Sequence, residues 1–308
     1  MPIHERDPWR LQYFANVVCP ENVFIPTDDA DAYRWNPRHR GVYNKLFVAE
    51  SQGLECAPHG VDPTHYPIFS KPIVNIDGMG VGSRVLRDYD EYKRHYHPGN
   101  MWVTLLEGQH ISSDFAVIEG DVHWVRHSIG LAGPGGTFDY WIIEAGRLPA
   151  LEDHCAVWIR SHLRGYSGMV NLETIGGKII EVHLRFADQW PDLYGAGWLD
   201  AVVKLYSHGV WGYADSDRRS GYSVALFGPH ARQYVYPSQA LASKIRAAQA
   251  VSSLQFTFHL DKAPDAHTMP PGGFRLAVIN VTELSAGLRA RRELAQAFGL
   301  ETHSGTRT

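Results

Sequence analysis

The sequence has few cysteines, no excess of positive charge and no long apolar run, and each absence excludes a class of protein. Its three cysteines, Cys19, Cys56 and Cys155, are far apart and form no C-x-x-C pair, which excludes a disulfide framework or a zinc knuckle. The 29 Lys and Arg against 33 Asp and Glu give a net charge of −4, which argues against bulk nucleic acid as a partner. No stretch reaches the roughly 20 apolar residues that a membrane helix needs, and residues 1–7 (MPIHERD) include charged residues rather than an apolar signal region, so we expect a cytoplasmic protein with no membrane partner.

The composition that remains is typical of a folded chain. With 308 residues, 44% of them hydrophobic and 20% charged, the chain is long enough for one large domain or two ordinary ones. Periodicity and turn residues predict an α+β protein with mostly antiparallel strands. The predicted strands cover residues 66–73, 102 onward, 114–119, 122–128, 168–175, 178–186, 255–260 and 274–281. The predicted helices cover 42–52, 88–97, 151–163 and a Thr282-capped helix through Phe298, followed by a frayed tail from Glu301.

A glycine-rich loop follows the strand that carries Lys71. Glycines 78, 80 and 82 alternate in Asn75-Ile-Asp-Gly-Met-Gly-Val-Gly-Ser83, so the backbone can approach an anion closely and turn its N–H groups toward it. A lysine just upstream can reach the same phosphates. The loop matches neither common nucleotide-binding fingerprint, and a plain turn remains the alternative.

A polar hairpin is the second candidate site. Alternation along two strands puts Asn171 and Glu173 on one face of the first strand, and Glu181, His183 and Arg185 on one face of the second. The Gly176-Gly177 turn brings the two faces together. Two neighbouring carboxylates repel each other, which suggests a hard cation between them, most naturally Mg²⁺. The alternative is a solvated sheet face with an ordinary Glu–Arg pair.

The order of these features resembles the ATP-grasp superfamily over roughly residues 41–190. The segment from Met169 to Arg185 is similar to the magnesium-binding hairpin of biotin carboxylase and carbamoyl phosphate synthetase. The resemblance implies two α+β subdomains that clasp a nucleotide. It divides the chain into an N-terminal segment with an ATP-facing helix (1–60), a small lid subdomain (61–104), a large subdomain with the metal hairpin (105–230) and a C-terminal α+β extension (231–308).

The resemblance also implies roles for individual residues. Lys45 and Lys71 would bind ATP phosphates, with Gly78, Gly80, Gly82 and Ser83 as the flexible loop over them. Trp102, Val103, Thr104 and Leu105 would receive adenine through backbone groups, His110 would lie near the ribose, and Asn171 would join the nucleotide site. Glu173, Glu181 and His183 would hold Mg²⁺, or Mn²⁺ as the alternative, and Arg185 together with Lys71 would be catalytic.

Two departures from the superfamily pattern affect these expectations. His183 stands where asparagine is usual, and imidazole suits manganese or zinc better than magnesium, so His183 is either a ligand or a bystander. Only about forty residues precede Lys45, where the superfamily carries a full α/β domain. The N-terminal domain therefore looks truncated, and the substrate does not follow by analogy.

Three other features have competing interpretations. His123 and His127 have the spacing of a helical zinc pair, but the segment is predicted as a strand. Residues four apart on a strand are too far from each other to coordinate one metal ion. Arg126 and His127 are interpreted either as cleft contacts or as a strand-surface pair. The loop of residues 188–194 either recognises a substrate or is a packing connection.

The resemblance implies an ATP-dependent ligase that activates a carboxylate as an acyl phosphate for attack by an amine or other nucleophile. Its partners would be these small molecules, and a homodimer is one expected assembly. Two alternatives stay open: a kinase-type phosphotransferase that uses the same nucleotide site, and a non-catalytic nucleotide-binding module.

Overall fold

The computed structural model describes residues 3–5, 7 and 9–300. The tail expected from Glu301 lies outside these residues. The strands are β1 Ile3–His4, β2 Ile25–Pro26, β3 Cys56–Pro58, β4 Ile68–Pro72, β5 Arg84–Leu86, β6 Asn100–Thr104, β7 His110–Ile118, β8 Asp121–Ala132, β9 Phe138–Ile143, β10 Gly168–Ile175, β11 Lys178–His183, β12 Gly221–Gly228, β13 Val251–Phe256 and β14 Phe274–Val281. The helices are α1 Leu11–Phe14, α2 Asp29–Trp35, α3 Lys45–Glu50, α4 Tyr89–Arg94, α5 Pro149–His162, α6 Trp198–His208, α7 Gln239–Arg246 and α8 Leu284–Ala297.

The larger sheet has eight antiparallel strands in the order β11-β10-β7-β8-β9-β12-β14-β13. Helix α5 packs against β8, α8 packs against β12 and β14, and α3 packs against the edge strand β11. Burial of alternate apolar side chains under these helices supplies the main cores, for example Leu172 and Val182 beneath the hairpin of β10 and β11. This arrangement confirms the predicted α+β class with mostly antiparallel pairing.

The smaller sheet has four antiparallel strands in the order β3-β6-β4-β5. Its core consists of Ile68, Leu86, Tyr92 and Trp102, and α4 closes one side. Lys71 lies on β4 of this sheet, and its side chain reaches the Ile180 carbonyl oxygen on β11, the edge strand of the larger sheet. The two sheets therefore meet at this edge.

The described residues before Lys45 form β1 and β2, which pair in parallel, two short helices and a 3-10 turn at Arg40–Tyr43. The Asp28 side chain caps α2 by accepting a hydrogen bond from the Asp31 backbone N–H. The next residue, Asp29, is buried and lies against the polar hairpin. This short segment thus contributes directly to the candidate site.

Several sequence predictions need correction at element boundaries. The helix predicted over 42–52 begins only at Lys45, because the Asn44 side chain caps it and residues before it form the 3-10 turn. Strand β13 begins at Val251, four residues before the predicted start at Gln255. The Thr282 cap is wrong: Glu283 is the N-cap residue, and the Thr282 hydroxyl donates to the Ala250 carbonyl instead.

The predicted boundary at residues 230/231 falls inside one sheet. Strand β14 pairs with β12 on one side and β13 on the other, so residues 231–300 continue the large sheet. None of the helices in the described part of the chain is long and apolar enough to span a membrane.

Candidate nucleotide and metal site

The hairpin of β10 and β11 brings its two carboxylates opposite each other, as predicted. Glu173 pairs with Glu181, and Asn171 pairs with His183, across the antiparallel ladder. Gly176 and Gly177 have φ angles of 57° and 79°, which is the left-handed conformation that a two-residue hairpin turn requires. A Cβ on Gly176 would also clash with the Glu107 carbonyl oxygen. The glycine pair sets Thr174 opposite Ile179, and a bulge at Ile180 then shifts the register by one residue and aligns Glu173 with Glu181.

Both predicted phosphate lysines reach this hairpin. Lys45 is the first residue of α3, and its Nζ lies 2.9 Å from Oε1 of Glu181. Lys71 is 7% exposed, and its Nζ donates a 2.8 Å hydrogen bond to the Ile180 carbonyl oxygen. Burial, together with the nearby Lys45 charge, lowers the pKa of Lys71 to about 8. Two amines from different elements thus converge on one edge of the large sheet.

Glu173 is paired with a different partner. Its Oε2 accepts a 2.9 Å hydrogen bond from Nε2 of His110, at the start of β7. Burial opposes ionisation of Glu173, but the hydrogen bond and charge of His110 outweigh it and lower the pKa of the carboxyl group. The His110 ring also contacts the edges of Phe138 and Trp141. His110 therefore lies beside a candidate metal ligand, and its place near the ribose stays a prediction.

His183 and Arg185 are both held by Asp29 from α2. Nδ1 of His183 lies 2.9 Å from Oδ1 of Asp29, and Nη2 of Arg185 lies 2.8 Å from Oδ2. Burial opposes ionisation of Asp29, but the charges of Arg185 and His183 lower its pKa well below the ordinary range. The Tyr43 hydroxyl donates to the same carboxylate and accepts from the Leu184 backbone N–H. Asp29 is a site residue that sequence reasoning missed, since it lies 154 positions before its partner His183.

The donor set is suitable for a divalent cation. Two carboxylates are sufficient protein ligands for Mg²⁺, which usually keeps several waters and binds substrate phosphates. Nε2 of His183 is buried, has no hydrogen-bond partner, and lies 3.9 Å from Glu173 Oε1 and 4.0 Å from Glu181 Oε1. Within residues 3–5, 7 and 9–300, no group of three or more His, Cys, Asp or Glu is already arranged around a metal position. The carboxylates are turned toward Lys45 and His110 instead.

The predicted glycine-rich loop is an irregular segment with left-handed residues at Gly78, Met79, Gly80 and Gly82. A cavity of about 620 Å³ lies between this loop and the turn at residues 264–269. A second cavity, of about 390 Å³, lies between Val81 and residues 95–97. The lysines and the hairpin carboxylates line neither of these cavities. Lys45 and Glu181 form a direct ion pair, so a triphosphate bound to Lys45 would have to separate them.

The predicted adenine segment lies at the end of β6. Trp102 and Val103 are paired with β3 on one side and β4 on the other, and the Thr104 backbone N–H donates to Glu55. The Trp102 indole is buried and donates to the Val61 carbonyl oxygen. Leu105 follows the paired strand. Of the four predicted positions, Leu105 is the one whose backbone lies beyond the ladder.

Asn171 and the buried Asp114 organise the floor of the site. The Asn171 amide donates 2.8 Å hydrogen bonds to Ser112 Oγ and Asp114 Oδ1, so its hydrogens are engaged within the sheet. Burial raises the pKa of Asp114 to about 6, although the Tyr194 hydroxyl donates to it. The loop of residues 188–194 is therefore partly a packing connection, anchored on Asp114. Asp114 carries no sequence signal beyond being a polar residue in an apolar strand.

The histidine and arginine of β8 are structural. Nε2 of His127 lies 3.1 Å from Glu152, and its Nδ1 lies 2.8 Å from the Ser113 hydroxyl. Arg126 is 1% exposed and forms an ion pair with Asp215. The interpretation of Arg126 and His127 as either cleft contacts or a strand-surface pair is therefore wrong, because Arg126 is buried in an ion pair and His127 is buried in hydrogen bonds. His123 and His127 lie on a strand, which agrees with the argument against a zinc pair.

No protein-family model matches the sequence, and no curated protein matches it, but solved structures do. L-amino acid ligase from Bacillus licheniformis has a TM-score of 0.62 and 14% identity, with 94% of this chain and 82% of that chain covered. Carboxyaminoimidazole ribonucleotide synthase from Aspergillus clavatus, complexed with ATP, has a TM-score of 0.60 and 10% identity, covering 94% and 84%. The chain has the ATP-grasp fold.

A third ATP-grasp structure adds bound ligands to the comparison. The biotin carboxylase domain dimer of 2-oxoglutarate carboxylase from Hydrogenobacter thermophilus, in complex with MgADP, ADP and bicarbonate, has a TM-score of 0.55 and 13% identity, covering 84% of this chain and 66% of that chain. At these identities the likeness establishes the fold, and it confirms the fold that the sequence resemblance implied.

Proposed function

We propose that this protein is an ATP-dependent ligase that activates a carboxylate as an acyl phosphate, which an amine or another nucleophile then attacks. The observation that carries the proposal is the convergence of Lys45 and Lys71 on the hairpin that holds Glu173 and Glu181. Amines for phosphates and carboxylates for a divalent ion are the groups that phosphoryl transfer requires. The ATP-grasp neighbours include two structures with bound adenine nucleotide, which supports the same ligand here.

In the proposed complex, Lys45 and Lys71 bind the ATP phosphates, and the loop with Gly78, Gly80, Gly82 and Ser83 covers them. Glu173 and Glu181 hold Mg²⁺, which when bound neutralises phosphate charge and orients the triphosphate. Leu105 is the position we favour for backbone contact with adenine, since Trp102, Val103 and Thr104 lie in the paired strand. Closure of the loop excludes water, which limits hydrolysis of the reactive intermediate.

The first step is phosphoryl transfer to the substrate. A carboxylate oxygen forms a bond to the γ-phosphorus, the bond from that phosphorus to the bridging oxygen breaks, and ADP leaves. Arg185 stabilises the charge on the transferring group. Its Nε is buried and has no hydrogen-bond partner among the described residues, so one donor remains available while Nη2 holds Asp29.

The second step forms the product. The amine attacks the acyl carbon, phosphate leaves with the bonding electrons, and the amine releases a proton to solvent. Arg185 then faces the departing phosphate, because the same guanidinium lies beside the acyl phosphate. This chain requires no covalent protein intermediate in either step.

As for assembly, we propose a homodimer, in line with the dimeric biotin carboxylase domain among its neighbours.

Hydroxylamine trapping tests the proposed reaction. The protein is incubated with ATP, Mg²⁺, hydroxylamine and one carboxylate at a time, beginning with L-amino acids because one neighbour is an L-amino acid ligase. We expect a hydroxamate in equal amount to the ADP released, and none with Glu181→Gln. A stable phosphorylated product in place of the hydroxamate would instead establish the kinase-type reaction, and nucleotide binding without turnover would establish a non-catalytic module.

A further inference from the structure

We propose that His183 is a nitrogen ligand of the divalent metal ion, that Asp29 is its positioning residue, and that the site therefore binds Mn²⁺ in preference to Mg²⁺. The inference deepens the proposed function, since it uses the same two carboxylates. The observations that support it are different, because it depends on the contacts of His183 and Asp29, whereas the proposed function depends on the phosphate lysines.

Three acceptor groups face one another at this point. An ionised carboxylate only accepts, so Nδ1 of His183 carries the hydrogen that it donates to Asp29. In the neutral ring, Nε2 then presents a lone pair toward Glu173 and Glu181. Lys45 pairs with Glu181 and His110 pairs with Glu173, whereas Nε2 of His183 has no partner among the described residues. A metal ion beside the two carboxylates would supply that partner.

The geometry allows a metal ion at that position. Two ligands about 2.1 Å from one octahedral ion are about 3.0 Å apart when adjacent and about 4.2 Å apart when opposite. The separations of 3.9 Å and 4.0 Å from Nε2 to the two glutamates exceed the value for adjacent ligands, so the carboxylates must approach His183 by about 1 Å to share one ion with it. His183 is fixed, at 4% exposure, whereas the Glu173 and Glu181 side chains are 28% and 21% exposed. The glutamates are the groups that have room to adjust.

Asp29 supplies the orientation that a metal-binding imidazole needs. Metal-ligating histidines usually donate their other ring N–H to a carboxylate, which fixes the tautomer and raises ligand basicity. Asp29 does this at 2.9 Å, and it is itself held by Arg185 and Tyr43. Asp29 of α2 thus sets which nitrogen of His183 faces the carboxylates.

The second imidazole at the site, His110, is not equivalent. Its Nε2 hydrogen-bonds to Glu173 at 2.9 Å, so that nitrogen carries a hydrogen and presents no lone pair. Nε2 of His183 has no such partner. The matched pair of histidines therefore offers an internal control for nitrogen ligation.

The chemistry of the donor set determines the metal. Mg²⁺ strongly prefers oxygen ligands, whereas first-row transition ions accept imidazole. Two carboxylates with one imidazole suit Mn²⁺, which tolerates oxygen ligands as well. We therefore expect Mn²⁺ to bind more tightly than Mg²⁺, and the preference to shrink when His183 is replaced by Asn.

Pulsed electron paramagnetic resonance of bound Mn²⁺ tests the ligand directly. The full chain is loaded with one equivalent of Mn²⁺, with and without ADP, and nitrogen coupling to the metal is recorded. We expect coupling from one imidazole nitrogen, its shift on incorporation of ¹⁵N-histidine, its loss in His183→Asn and its retention in His110→Gln. The isotope experiment uses the unaltered chain, so the result stands even if a variant fails to fold.

Titration with Mn²⁺ tests the positioning residue. Loss of a group that orients a metal ligand typically weakens metal affinity by about 10-fold to 100-fold, and we expect this range for Asp29→Asn. Arg185→Gln is the control, since it removes the other partner of Asp29 and leaves the contact with His183. Equal weakening in both variants would show that Asp29 acts through Arg185 and would overturn its assignment.

The remaining outcomes separate this inference from the proposed function. Mn²⁺ without nitrogen coupling, coupling that persists in His183→Asn, or no Mn²⁺ binding at all would overturn the ligand assignment, even if ATP were turned over with Mg²⁺. Nitrogen coupling in a protein that forms no hydroxamate would support His183 as a ligand and count against the ligase.

Discussion

Nζ of Lys45 lies 2.9 Å from Oε1 of Glu181, so a lysine proposed for phosphate and a carboxylate proposed for metal neutralise each other. Both groups are largely buried, and an uncompensated charge at either position would be costly. A metal-nucleotide complex offers each of them a new partner at once: phosphate for the lysine and the cation for the carboxylate. We therefore infer that nucleotide and metal bind together more readily than either alone.

The first prediction concerns Glu181. Replacing it by Gln keeps the shape of the side chain but removes the negative charge of one of the two proposed metal-binding carboxylates. We expect ATP turnover to fall by about 100-fold or more, since metal stabilisation of the transition state contributes several kcal/mol. The measurement is ADP release at saturating ATP. Lys178→Met, at an exposed position on the same strand, is the control and should retain full activity. Equal activity in both variants would remove the metal role from Glu181.

The second prediction is a pH dependence that arises from Lys71. Burial and the charge of Lys45 lower its pKa to about 8, so in the free protein the amine loses its proton as the pH rises through 8. Phosphate favours the charged form, and therefore ADP affinity should fall as the pH rises from about 7 to 9.5. In Lys71→Arg the guanidinium stays charged, and the affinity should change much less over this interval. Calorimetric titration at several pH values provides the comparison, and parallel profiles would contradict it.

Local pattern predicted the hairpin but not its register. The polar alternation and the two glycines indicated two strands with a shared polar face, and the ladder confirms that Glu173 lies opposite Glu181. That pairing depends on a bulge at Ile180, which strand periodicity and turn residues do not predict. The ATP-grasp resemblance, rather than a local pattern, placed Lys45 and Lys71 in one site with the hairpin.

The contacts that complete the site have no local signature. Asp29 meets Arg185 across 156 positions of sequence, and nothing in its neighbourhood distinguishes it from the other acidic residues near it. The same holds for His127, whose partner Glu152 lies on a helix that packs over the sheet. Such pairings follow from how elements pack, which single-sequence periodicity does not determine. The cap at Glu283 was missed because Thr282 has a tertiary partner.

The third prediction concerns stability. Asp29→Ala leaves the buried cation of Arg185 without its partner, and removal of one member of a buried ion pair typically costs about 3 to 5 kcal/mol in the free energy of unfolding. Asp139→Ala removes a more exposed aspartate that pairs with Arg291, and it should cost about 1 kcal/mol or less. Urea denaturation of both variants checks the difference. Similar losses would mean that Asp29 is not a central contact of the site.

The fourth prediction separates function from strain in the glycine-rich loop. Gly80 and Gly53 have φ angles of 64° and 68°, and an added Cβ would meet nothing within 4 Å at either position. Replacing either residue by Ala should therefore destabilise the fold by a similar amount, about 1 kcal/mol. Only Gly80→Ala should also lower ATP turnover, because only that residue lies in the proposed phosphate loop. Equal turnover in the two variants would show that the loop is a plain turn.

A crystal structure with ADP and Mn²⁺, with the metal located by its anomalous scattering, tests the central claim most directly. We predict an anomalous peak between Glu173 and Glu181, ADP phosphates within hydrogen-bond distance of Lys45 and Lys71, and Lys45 separated from Glu181. A nucleotide bound elsewhere, with the 2.9 Å contact between Lys45 and Glu181 intact and no metal at the hairpin, would contradict the account.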